Sequence, residues 1–121
     1  MAFPRMMKVR QHFEAPQVDD IPGTVKAQIE SLNLSGKVKQ SDSVAVTVGS
    51  RGVSNIAAIT KAIVDTLRAL GAEPFIVPAM GSHGGGTAEG QREIIESYGV
   101  TEAFVGCPIR ATMDIVQVGT V

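Results

Sequence analysis

The run Met80-Gly81-Ser82-His83-Gly84-Gly85-Gly86-Thr87 sets one imidazole among four glycines, directly after an apolar segment. A histidine titrates near neutrality and can take or give a proton, while glycines let ligand atoms reach main-chain N–H groups that a Cβ would shield. The other histidine, His12, lies in an N-terminal strand-like run and has no such surroundings. A second reactive group is Arg51, in Gly49-Ser50-Arg51-Gly52, whose planar fork of donors suits a carboxylate or phosphate. If the two loops meet, they form a site that holds a small anion beside a histidine general base. Taken singly, each group has a plainer reading. His83 would be a loop histidine bonded to main chain, and Arg51 a surface ion-pair partner. Ser82 does not form a nucleophile and base pair with His83, because adjacent side chains diverge. Neither loop matches GxGxxG or GxxxxGK[ST], so spacing alone does not assign a nucleotide.

Both loops follow short apolar runs. Residues 43–48, Ser-Val-Ala-Val-Thr-Val, read as a strand buried on both faces, and residues 74–78 as a second strand. Between them Ile56, Ile59, Ile63, Leu67 and Leu70 recur at the spacing of one helical stripe, with Ser54 as N-cap and Gly71 as the stop. Strand, helix and strand make a βαβ unit over residues 43–79, whose crossover is right-handed and whose strands are parallel. The loops after parallel strands open at the same sheet edge, where open α/β sheets bind ligands. That topology brings Arg51 and His83 together.

Around this unit, residues 7–13 read as a half-exposed strand and Asp19-Asp20-Ile21-Pro22-Gly23 as the entry of a helix reaching Leu32. Thr87 or Gly86 caps a third helix, with Ile94, Ile95 and Tyr98 on its inner face and Gly99 at its end. Residues 114–118 read as a last strand. The fold class expected is α/β: a three-layer, Rossmann-like domain with a mostly parallel sheet.

At 121 residues the chain suits a single α/β domain, residues 1–121. Its 44% apolar content and net charge of −1 exclude a disordered or strongly basic chain, so nucleic acid is not an expected partner. The lone Cys107 allows no internal disulfide, and no long apolar span or signal peptide is visible. A cytoplasmic protein, with no membrane partner, is expected.

The run Val46-Thr-Val-Gly-Ser-Arg-Gly-Val-Ser-Asn-Ile56, with Pro78-Ala-Met-Gly-Ser-His-Gly-Gly-Gly-Thr-Ala-Glu-Gly90, resembles the N-terminal domain of the nickel-dependent lactate racemase family. The resemblance covers most of the chain. It implies racemisation or epimerisation of a small anionic 2-hydroxy acid, with a nickel-pincer nucleotide accepting the substrate hydride. His83 aligns with one of two acid/base histidines, and Arg51 with an arginine that holds the substrate carboxylate. Ser50 stands beside Arg51 on the substrate side. Ser82, Gly84, Gly85, Gly86 and Thr87 form the cradle expected to hold the cofactor.

Departures from the family pattern suggest a divergent branch. Active racemases carry an acidic residue three positions before the arginine and a proline after it, where this chain has Val48 and Gly52. They commonly place an arginine after the loop histidine, here Gly84. Lactate is therefore not assumed as the substrate. The family's proteins are also several times longer, and their second catalytic histidine, nickel-ligating histidine and cofactor-tethering lysine lie beyond the last residue here. This polypeptide alone is expected to be an inactive part of a two-domain protein that binds no nickel, with the missing C-terminal domain as a partner. Association with itself, as a homo-oligomer, is a further expectation. The contrasting reading is a non-catalytic α/β module that cradles an anion or a nucleotide phosphate.

Overall fold

The computed structural model describes residues 6–117 and 119. Its first helix, α1 (Ile21–Ser31), starts as its sequence dictates. The Asp20 carboxylate accepts the Gly23 N–H at 2.9 Å, and Pro22 occupies the first turn, where a missing donor costs nothing. A 3₁₀ turn (Leu34–Gly36) leads to strand β1 (Ser43–Val48), then helix α2 (Ile56–Ala69) and strand β2 (Glu73–Pro78). β1 and β2 pair in parallel, from Ser43 opposite Glu73 to Val48 opposite Pro78. The βαβ unit therefore forms at the expected place, and both strands end at one edge.

One face of this sheet carries the core. Val46, Val48 and Ile76 join Val64 and Leu67 of α2 in a cluster with Ile95, Val100, Val105, Cys107 and Ile109. Each fully buried aliphatic side chain contributes about 1.5–3 kcal/mol. Burial pushes the Cys107 thiol up from its ordinary pKa. The expectation that β1 is buried on both faces is corrected: Ser43, Ala45 and Thr47 are exposed. With a period of two, a strand whose second face meets no helix shows alternate side chains to solvent. On that face the Arg110 guanidinium lies 4.3 Å from the centre of the Phe75 ring.

Helix α2 also differs in detail from its sequence pattern. Thr60, Val64 and Leu67 are buried, as are Ala62 and Thr66, whereas Ile56, Ile59, Ile63 and Leu70 are only half-buried. The helix lies between the sheet and α1, so two of its faces are covered, and the second takes small residues. The buried hydroxyls are satisfied locally, Thr60 donating to the Ile56 carbonyl at 2.8 Å and Thr66 to Ala62 at 2.7 Å. Ser54 is not the N-cap. Asn55 holds that position in the left-handed region at φ 60°, which asparagine tolerates better than most residues, and its side chain makes no cap bond.

After a 3₁₀ turn (Gly84–Gly86), helix α3 (Ala88–Ser97) and the single turn α4 (Glu102–Val105) complete the helices among the described residues. No helix among these residues is long and apolar enough to cross a membrane.

The two outer strands expected from the sequence do not form. Residues 7–13 adopt no regular structure and are exposed, because an alternating run needs a neighbouring strand to pair with. Residues 114–117 are likewise not in a strand, and Val118 lies outside the described residues. The chain meets β2 earlier, at Ile109. There the Ile76 N–H donates to the Pro108 carbonyl at 2.9 Å, and the Arg110 N–H to the Ile76 carbonyl at 2.8 Å. The ladder stops at this single bridge because the residues that would donate next on either side, Pro74 and Pro78 of β2 and Pro108 itself, have no N–H. The Ile109 N–H is already given to the Glu102 carboxylate at 2.8 Å. That bond, with Arg92 at 3.4 Å, holds the Glu102 carboxyl below its usual pKa. The architecture is thus mixed α/β around a two-stranded parallel sheet.

Candidate functional site

Parallel pairing carries past the strands, since the Ala79 N–H donates to the Val48 carbonyl at 2.8 Å. Residues 49–55 and 79–87 therefore leave the sheet side by side. The contact that joins them is a hydrogen bond between Ser50 Oγ and His83 Nδ1, at 2.5 Å. Arg51 is the next residue along the first loop. It is exposed and forms no ion pair among the described residues. The plainer reading of Arg51 as half of a surface salt bridge thus finds no partner here.

The histidine loop is shaped by glycine. Gly81, Gly84, Gly85 and Gly86 all have φ between 61° and 68°, a region that costs other residues about 1–2 kcal/mol each. At Gly84 the demand is also steric, because a Cβ would run into the backbone of Gly90 and Gln91 in the first turn of α3. A side chain cannot be accommodated at position 84, where the loop lies against the start of α3. Gly85 and Gly86 have nothing within 4 Å of where a Cβ would stand, so their backbone is open to a ligand.

Thr87 serves the loop before any ligand. Its hydroxyl donates to the Gly84 carbonyl at 3.1 Å and accepts the Gly90 N–H at 3.1 Å, as the N-cap of α3. Ser82 and His83 are exposed, and Ser50 is half-buried. Two further residues of this region escaped sequence reasoning as site residues. Gln91, 5% exposed, donates through Nε2 to the Gly81 carbonyl at 2.6 Å. Tyr98, just past α3, donates its hydroxyl to the Ser50 carbonyl at 2.7 Å. Tyr98 has a readable signal, a phenol on the inner face of a helix that must find a partner. Gln91 has only its polarity on a face that turns inward.

The site is an open edge rather than a closed cavity. A cleft of about 500 Å³ lies elsewhere, lined by Val18, Ile21, Val25, Ser54, Asn55 and Ile59 among others, and neither His83 nor Arg51 borders it. Among the described residues no group of three His, Cys, Asp or Glu side chains could hold a metal ion. Comparison with protein-family models, with curated proteins and with solved structures returns no match to this chain. The chemistry therefore rests on the residues themselves: an exposed imidazole bonded to Ser50, an exposed arginine next along the chain from that serine, and an open glycine backbone.

Proposed function

We propose that this chain is the N-terminal part of a divergent lactate racemase-like protein, in which His83 and Arg51 form one side of a 2-hydroxy acid site. The observation that carries the reading is the Ser50 to His83 hydrogen bond, which joins the arginine-bearing and histidine-bearing loops at one sheet edge. Arg51 pairs with the substrate carboxylate through two parallel N–H bonds and orients it. His83 takes the proton of the substrate hydroxyl and returns it after inversion. A nickel-pincer nucleotide, when bound, supplies the acceptor for the carbinol hydride. The open backbone at Gly85 and Gly86 fits an anionic part of such a group, with Ser82, Gly84 and Thr87 shaping the cradle. The nickel ligands and the cofactor tether belong to a C-terminal domain outside this chain.

In the same proposal that domain completes a three-layer, Rossmann-like sheet, covering the face that now exposes Ala45 and Thr47. The cytoplasm is the compartment proposed, since the buried Cys107 is a free thiol. Val48 and Gly84 stand where the racemase pattern carries an acidic and a basic residue, so the substrate class proposed is a small anionic 2-hydroxy acid, with lactate not assumed.

The test is His83→Gln in a longer form of the protein. Loss of turnover by about 10²–10⁴-fold with retained ligand affinity supports the acid/base role. Unchanged turnover removes that role and leaves the glycine loop as a phosphate cradle.

A further inference from the structure

The direction of a hydrogen bond at one imidazole nitrogen decides the state of the other. In the neutral ring one nitrogen carries the proton and the other a lone pair. The Ser50 hydroxyl can serve Nδ1 as acceptor or as donor, and the two choices give opposite chemistry at Nε2. If Ser50 accepts the Nδ1–H, Nε2 on the far side of the ring is a free base. If Ser50 donates, Nε2 carries the proton and the lone pair points at the serine.

We infer that Ser50 is a positioning residue that accepts the His83 Nδ1–H and so holds the ring with Nε2 free to take a proton. This rests on the acid/base reading of His83. It adds a role for Ser50 beyond contact with substrate.

Two observations fix the pair in place, and the proposed reaction decides the direction of the bond between them. The Ser50 backbone is anchored by the Tyr98 hydroxyl at its carbonyl, 2.7 Å away, so the hydroxyl stands at a fixed place rather than on a free loop. The histidine backbone is anchored from the other side, through Gln91 to Gly81 and through the packing of Gly84 on Gly90. The arrangement also survives the reaction. When Nε2 takes the substrate hydroxyl proton, Nδ1–H still donates to Ser50 and no group has to turn. In the opposite arrangement, uptake of a proton at Nδ1 would break the bond to Ser50, and the serine would be the group that His83 activates.

The experiment is long-range ¹H–¹⁵N correlation on this chain labelled with ¹⁵N-histidine, at a pH where both rings are neutral. His12 and His83 are the only histidines, and His83→Gln assigns the two signals. The result expected is Nδ1–H for His83. Ser50→Ala should move it toward the tautomer mixture shown by exposed His12, and Ser50→Thr, which keeps a hydroxyl, should restore it. Nε2–H in the native chain, or a tautomer unchanged in Ser50→Ala, would overturn the inference. So would covalent labelling of Ser50 by a fluorophosphonate, because that marks an activated nucleophile.

In the longer protein, Ser50→Ala should lower kcat about 10- to 100-fold with KM little changed, the loss expected when the partner that orients a functional histidine is removed. The tautomer is read without turnover. A failure of the acid/base reading, seen in His83→Gln, is therefore distinguishable from a failure of the Ser50 assignment.

Discussion

The loop after β2 is built onto helix α3, whereas the loop after β1 touches the rest of the molecule mainly through Ser50. In the first, Gly84 lies against the Gly90 backbone, Thr87 caps the helix and Gln91 holds Gly81. In the second, Tyr98 holds one carbonyl and His83 meets one hydroxyl, while Gly52 has no atom within 4 Å of a Cβ position. The difference teaches how a site can divide its labour. On the proposed function, a proton-transfer group must stand still relative to the reacting atoms, and the loop that would carry it is the one tied to a helix. A guanidinium that captures a carboxylate can reach on a long side chain from a loop held at a single residue.

Substitutions sharpen or break this contrast. The largest effect is expected for Gly84→Ala. It combines a left-handed φ, about 1–2 kcal/mol, with a clash against the α3 backbone, about 1–3 kcal/mol more. Urea denaturation measures it, and a loss below about 0.5 kcal/mol, the size of an ordinary surface change, would mean the loop is not seated on α3. Thr87→Ala should cost about 1 kcal/mol through the lost N-cap, with faster amide exchange at Gly90. Slowed or unchanged exchange there would show that the cap is not formed in solution.

Tyr98→Phe should cost about 0.5–1.5 kcal/mol and speed amide exchange over residues 49–53 more than over residues 83–87. Equal acceleration in both loops would erase the distinction between them. The smallest effect belongs to Gly52→Ala, which should change stability by no more than about 0.5 kcal/mol, as no close contact is created. A large loss would show that the arginine loop is packed after all.

How far the residues alone reveal this arrangement depends on the range of the interaction. Ser43–Val48, Ile56–Ala69 and Glu73–Pro78 are marked by local apolar patterns, and their elements form within a residue or two of expectation. Residues 7–13 and 114–117 carry strand-like patterns too, but a strand exists only beside a partner, and pattern does not supply one. At the start of α2, Ser54 is the better cap by type, yet Asn55 holds the position because it accepts the left-handed turn. At the site, His83 and Arg51 stand out by residue type and by their loops. Ser50 reads as one more polar neighbour until His83 is placed against it, 33 residues away in the chain.

The amino-acid sequence by itself determined the parallel βαβ unit and the sharing of one edge by its two loops. Helix and strand periods and the handedness of crossovers are local, general rules. Only the tertiary structure decided that β1 keeps one face in solvent, that Ile109 rather than a later segment pairs with β2, and that Nδ1 of His83 faces Ser50. Those outcomes turn on which groups arrive within about 3 Å of one another, a distance over which hydrogen bonds form or fail. No pattern along the chain encodes it.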